Sequence, residues 1–172
     1  TNISTFNKQF FNQDGTIKGN WVQVGNDITS YMAHSGANFG SSVNLSGDGK
    51  TLVVGSPTYG WLHPSAPGGE FGIFQLENDK WQNTFLGGGK FGDGESGFGS
   101  SVSISADGKR VAVSAPYSAT NNDFGNSVWV QSEVSVYERE GASYKVLGNK
   151  INNEQYKIYI GETISLSSDG ST

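Results

Sequence analysis

With 172 residues, a formal charge of −5, 25 glycines and no cysteine, the chain has the size of one domain or of one piece of a larger one. Zero cysteines exclude a disulfide framework and a thiolate zinc site, and an acidic balance without any Lys/Arg run excludes the clustered basic face of a nucleic-acid binder. No apolar run approaches the ~18 residues of a membrane span, and the low charged share (16%) beside 12% aromatic residues is the profile of many short strands and turns.

The chain begins with Thr1 rather than Met, which reads as a processed product or an excerpt. Residues 1–28 carry Phe6, Phe10 and Phe11, a turn signal at Asp14-Gly15, and the strand-like run Trp21-Val22-Gln23-Val24-Gly25. Residues 39–57, FGSSVNLSGDGKTLVVGSP, then set out two strands and a turn. Phe39, Ser41, Val43 and Leu45 alternate with Gly40, Ser42, Asn44 and Ser46, a period of two with one apolar row, so Phe39, Val43 and Leu45 are expected to be buried. Asp48-Gly49 supplies the turn, because glycine tolerates positive φ and aspartate bonds its own backbone. Leu52-Val53-Val54 reads as a strand buried on both faces and stopped by Pro57, which cannot donate to a ladder.

A loop over residues 58–69 follows, containing Tyr59-Gly60-Trp61-Leu62-His63-Pro64. Tyr59, Trp61 and His63 are the candidate ligand-binding residues, since aromatic rings held on a rigid sheet can stack on a sugar or anchor a partner. The competing reading packs the same rings over a neighbouring sheet. Phe71 to Leu76, the turn Glu77-Asn78-Asp79-Lys80 and Trp81-Gln82 form a hairpin, and Trp21 and Trp81, at equivalent places, are read as core. Gly87-Gly88-Gly89-Lys90 is not a phosphate loop, because Phe91 stands where Ser or Thr would hold magnesium. Residues 92–97, GDGESG, match G-x-G-x-x-G, but a dinucleotide site needs a helix next and a strand follows here. The same loop offers Asp93 and Glu95 for a weak calcium ion, two carboxylates falling well short of the about six to eight oxygens calcium prefers.

Residues 98–116, FGSSVSISADGKRVAVSAP, repeat the first stretch 59 positions on, with 11 of 19 residues identical. Phe98, Val102 and Ile104 are expected to be buried like their counterparts, and Pro116 to end the second strand. A loop over residues 117–130 and a hairpin over residues 134–148 complete the unit. A third copy opens at Ile160 with IGETISLSSDG. A fixed period of this length is the mark of a repeat architecture whose sheets must stack on one another to bury their faces. His34 and His63 are the only histidines, both in loops and neither joined to a catalytic or metal set. Asn2-Ile3-Ser4 and Asn44-Leu45-Ser46 fit the N-glycosylation pattern, at a frequency expected by chance in so Asn-, Ser- and Thr-rich a chain.

The paired FG…SP and FG…AP elements, each followed by a glycine-containing loop and a run such as VSVYE, resemble the FG-GAP repeat of integrin-α-type β-propellers, and W-x-Q-V-G-N-D-I at residues 21–28 is similar to a variant of it. The resemblance spans most of residues 21–172. It implies an all-β fold of four-stranded blades: a partial blade at 1–28 (third and fourth strands), blades at 29–88 and 89–150, and the start of a further blade at 151–172. About two full blades with a half-blade at each end do not close a propeller, so more blades or an assembly of copies are expected around them. The family's calcium loop, D-x-D/N-x-D-G, is reduced here to Ser-Gly-Asp48-Gly and Ser-Ala-Asp107-Gly, so no tight calcium site is expected in those turns, and no other cofactor is implied. The resemblance implies a non-enzymatic structural or adhesive module of an exported or cell-surface protein, extracellular, binding a protein or a glycan through blade loops. A second expectation is a self-assembling subunit that forms filaments or rings by strand complementation between copies. A third is a fragment of a propeller-hosted carbohydrate-active enzyme, although no catalytic set is seen.

Overall fold

The computed structural model describes residues 23–29, 38–57, 68–88, 95–121, 127–152 and 160–172. Among them the regular structure is all β, with no helix, arranged as two antiparallel sheets. The first sheet is an up-and-down meander of β1 (Ser42–Leu45), β2 (Thr51–Ser56), β3 (Glu70–Glu77) and β4 (Lys80–Gly88), hydrogen-bonded in chain order. The second repeats the plan with some lanes broken: β5 (Glu95–Ser96) and β6 (Val102–Ile104) both pair with β7 (Arg110–Asn121), β7 pairs with β8 (Ser127–Glu140), and β8 pairs with β9 (Ser143–Val146) and β10 (Ile151–Asn152).

The registers place equivalent residues opposite one another. Val43 faces Val54 and Leu45 faces Leu52 in the first sheet, while Val102 faces Val113 and Ile104 faces Val111 in the second. The β3–β4 hairpin turns through two residues, Asn78 and Asp79, both at positive φ (50° and 56°). That matches the right-handed strand twist, and Asn and Asp tolerate it better than most residues.

The core lies between the sheets. Val53, Phe71 and Ile73 of the first sheet pack with Phe98, Val102, Ile104, Val111, Val113, Ala115 and Tyr144 of the second, flanked by Phe85 and Tyr137. Phe71 is the hub, its ring centroid 4.9 Å from Tyr137, 5.6 Å from Phe85 and 5.8 Å from Phe98. Each fully buried aliphatic or aromatic side chain contributes about 1.5–3 kcal/mol, so this layer dominates the stability of the pair. Backbones approach closely at its edge. A Cβ on Gly55 would strike the Gly99 carbonyl, and Gly99 itself sits at φ +88° against Glu70 O. Glycine is the residue both places demand.

Four expectations are corrected. Phe98, Val102 and Ile104 are buried as the alternation requires, but Val43 and Leu45 are 59% and 50% exposed and Phe39 is only half-buried. They lie on the face of the first sheet turned away from the second. Pro57 follows the end of β2, whereas Pro116 lies inside β7, in the register irregularity between Ala115 and Ser118 where a missing N–H breaks no ladder. The loop expected at residues 117–130 is therefore mostly strand, since β7 and β8 extend to Asn121 and back from Ser127. Trp81 is half-buried at an edge: its backbone N–H donates to Asn26 Oδ1 at 2.8 Å and its indole N–H to Val24 O at 3.0 Å.

Candidate functional site

The recurring polar feature is a turn built on Ser-x-Asp-Gly, present three times: Ser46 to Gly49, Ser105 to Gly108 and Ser167 to Gly170. In each, the serine hydroxyl donates to Oδ1 of the aspartate two residues on, at 2.6, 2.7 and 2.7 Å. Oδ1 also accepts the backbone N–H of Lys50, Lys109 or Ser171, at 2.9, 3.0 and 3.0 Å. The serine oxygen in turn accepts the N–H that opens the next strand position, that of Thr51, Arg110 or Thr172, at 2.9, 3.0 and 3.0 Å. The glycine closes the turn at φ +71°, +71° and +68°.

These hydrogen bonds stabilise the ionised carboxylates. The Ser46 hydroxyl and the Lys50 amide hold Asp48 below its ordinary value, and the Lys109 amide and Ser105 hydroxyl do the same for Asp107. Asp169, which also accepts from the Ser171 hydroxyl, is drawn down to about 2, with Ser167 the largest cause. Among the described residues no three His, Cys, Asp or Glu side chains gather into a metal-binding group.

The turns also join the copies. The Gly47 N–H donates to Ala106 O at 2.9 Å, and the Ala106 N–H donates to Ser168 O at 2.8 Å. Beside this chain, the Ile104 N–H donates to Asn44 Oδ1 at 3.0 Å and the Leu166 N–H to Ser103 Oγ at 2.9 Å. Asn44, the acceptor residue of a glycosylation pattern, thus has its side chain built into the contact between sheets. Residues 160–172 lie on the second sheet much as β6 lies on the first, although they form no strand. Arg110 ties them down, donating to Gly170 O at 3.0 Å while its guanidinium pairs with Glu138 Oε1 at 3.1 Å.

Between residues 160–172 and the far end of the second sheet runs a groove of about 560 Å³, lined by Ala112, Val134, Val136, Leu147, Ile151 and Ile164 among others. Of the residues singled out from sequence, Tyr59, Trp61, His63 and Asp93 lie outside the described residues, as do Trp21 and His34. Glu95 is in β5, opposite Ser118 of β7. The groove and the Arg110–Glu138–Gly170 tie were not found from sequence. Val134 and Val136 are spaced as a strand face, but only the fold shows that, partly covered by residues 160–172, they line a groove with Ile151 of β10. Comparison with protein-family models and with curated proteins returned no match for this chain.

Proposed function

We propose that the two sheets are consecutive blades of an FG-GAP-like β-propeller, and that the chain is a non-enzymatic structural or adhesive module of an exported or cell-surface protein. The reading rests most on one observation: the turn-to-turn hydrogen bonds pass from Gly47 to Ala106 and from Ala106 to Ser168, so successive copies stack by the same contact. A simple two-layer sandwich gives no reason for a third copy to continue the series. The polar side chains of the motif are engaged in building turns and joints, which suits a scaffold that holds loops in place. The ligand is a protein or a glycan, met by the segment carrying Tyr59, Trp61 and His63, and Asp93 with Glu95, the latter in β5, holds calcium weakly.

Binding to a panel of immobilised glycans and extracellular proteins tests this reading. Trp61→Ala with Tyr59→Ala is expected to lower affinity for the ligand at least about tenfold, in line with the loss of an aromatic anchor, while leaving the melting temperature in place. Turnover of a polysaccharide by the chain would overturn it, as would a ligand whose binding ignores both substitutions. For calcium, a chelator is expected to lower the melting temperature by no more than a few degrees, and Asp93→Ala to abolish that shift.

A further inference from the structure

Each Ser-x-Asp-Gly turn contains a chemically fragile pair. Beside an aspartate, a glycine nitrogen can attack the side-chain carboxyl carbon, because glycine has no Cβ to hinder the approach. The N–Cγ bond that forms closes a five-membered succinimide. The nitrogen gives its proton to a base, and the protonated carboxyl loses its hydroxyl as water. A second water then opens the ring at either carbonyl. One product is the original aspartate. The other is isoaspartate, whose main chain runs through the side-chain carboxyl and is one carbon longer. The reaction has three requirements: a protonated carboxyl, a Cγ that can swing onto the nitrogen, and an N–H within reach of a base.

All three requirements are opposed in each turn, largely by its serine. The attacking nitrogen is engaged: Gly49 N–H donates to Ser46 O at 2.9 Å, Gly108 N–H to Ser105 O at 3.0 Å and Gly170 N–H to Ser167 O at 2.8 Å. The hydroxyl of the same serine holds the aspartate Oδ1 at 2.6, 2.7 and 2.7 Å. The N–H two residues beyond the aspartate fixes that oxygen as well. These bonds favour the ionised carboxylate, which has no water to lose. We propose that the serine of each turn protects its Asp-Gly bond against isomerisation, holding nucleophile and electrophile apart with one residue. The extra carbon of isoaspartate would displace the strand position that follows, where the Thr51 and Arg110 N–H groups bond the serine oxygens. This role does not depend on what the loops bind.

Long incubation in mildly acidic buffer below the melting transition, followed by peptide mapping, measures isoaspartate at each turn separately. In the folded wild-type chain, Asp48, Asp107 and Asp169 are expected to isomerise at least about tenfold more slowly than in urea, since reaction must await local opening. Ser46→Ala, Ser105→Ala and Ser167→Ala should each speed the reaction about fivefold at their own turn alone, in line with one lost hydrogen bond. Ser167→Thr, which keeps the hydroxyl, should stay at the wild-type rate. Ser167→Ala is the deciding variant, because Ser46 and Ser105 are buried and Ser167 is only half-buried. If Ser167→Ala raises all three rates together, the whole molecule has loosened and the proposal is overturned. A Ser167→Ala turn that isomerises no faster than the wild type, or a folded chain as reactive as one in urea, overturns it too.

Discussion

Residues 39–57 and 98–116 share 11 of 19 amino acids and fold into the same strand–turn–strand, yet they end in opposite environments. Val102 and Ile104 are 6% and 7% exposed, while Val43 and Leu45, at the same places in the motif, are 59% and 50% exposed. The turns between those strands hardly differ: the Ser46–Asp48 and Ser105–Asp107 hydrogen bonds are 2.6 and 2.7 Å. The contrast separates what a repeat specifies by itself from what it borrows. Turn geometry is local and recurs wherever the motif does. Burial belongs to the joint between copies: on the outer face of the first sheet residues 24 and 26 bond Trp81, while Val43 and Leu45 stay exposed.

The largest effects are expected where that joint is filled. Phe71→Ala should cost about 3–5 kcal/mol and Ile104→Ala about 2–5 kcal/mol in urea unfolding, since each leaves a cavity in the packed layer. Leu45→Ala, at the matching site of the other copy, should stay within about 0.5 kcal/mol. Equal losses from Leu45→Ala and Ile104→Ala would mean that β1 is as covered as β6 in solution, and the comparison would fail. The measurement is made at low concentration, so that association does not lend stability to the exposed row.

A second pair isolates the backbone. Gly40 and Gly99 occupy the same motif position at φ +87° and +88°, so alanine at either meets the same left-handed strain, about 1–2 kcal/mol. Around Gly40 nothing lies within 4 Å of an added Cβ, whereas at Gly99 it would strike Glu70 O. Gly99→Ala should therefore destabilise by about 1–3 kcal/mol more than Gly40→Ala, the usual range for overpacking. Equal melting temperatures for the two variants would show that the sheets separate enough to admit a methyl group.

Much of the fold was legible because its signals are short-range. The strands of the two FG copies, their Asp-Gly turns and the Asn78-Asp79 hairpin each depend on neighbours within a few residues, and the structure contains them; Asp14-Gly15 lies outside the described residues, and residues 160–172 keep the turn but form no strand. What could not be read depends on distant partners. The motif that buries Val102 exposes Val43, and Pro116 is harmless because β7 happens to bulge there. Trp81 looked like core, but its equivalent Tyr144 takes that role, buried with its hydroxyl donating to Gly108 O at 2.6 Å, while Trp81 binds residues 24 and 26 at an edge. The groove is formed by β7, β8 and β10, by residues 147–149 and by residues 160–172 together, so no one stretch announces it.

A smaller effect grades the turns by burial. Ser105 is fully buried, and Ser105→Ala removes the acceptor for the Arg110 N–H, so about 1–3 kcal/mol is expected, the usual cost of an orphaned buried donor. Ser167 makes the same bonds nearer the surface, where water can replace the lost partner. Ser167→Ala should then cost less than Ser105→Ala in thermal unfolding. The reverse order would show that residues 160–172 carry more of the stability than their exposure implies.

The smallest expected effect separates the third turn from the other two. Asp48 and Asp107 are followed two residues on by lysine, which offers its turn an exposed ammonium (Lys109 Nζ lies 3.4 Å from Asp107 Oδ2), whereas Asp169 is followed by Ser171, which donates its hydroxyl to both carboxylate oxygens at 2.9 and 3.0 Å. The Asp169 carboxyl accordingly lies at about 2 instead of its ordinary 3.8. A depressed folded-state value means the ionised form is favoured by folding. Its contribution is fully present above 3.8 and is lost as the pH falls through about 2. Asp48 and Asp107 shift in the same direction, so all three turns should loosen together in acid. Carboxyl chemical shifts followed through an acid titration should show Asp169 among the last to protonate, and Ser171→Lys should raise its midpoint toward those of Asp48 and Asp107. A midpoint for Asp169 at or above 3.8, or no response to Ser171→Lys, would remove the local distinction between the copies and leave the joint between sheets as their only difference.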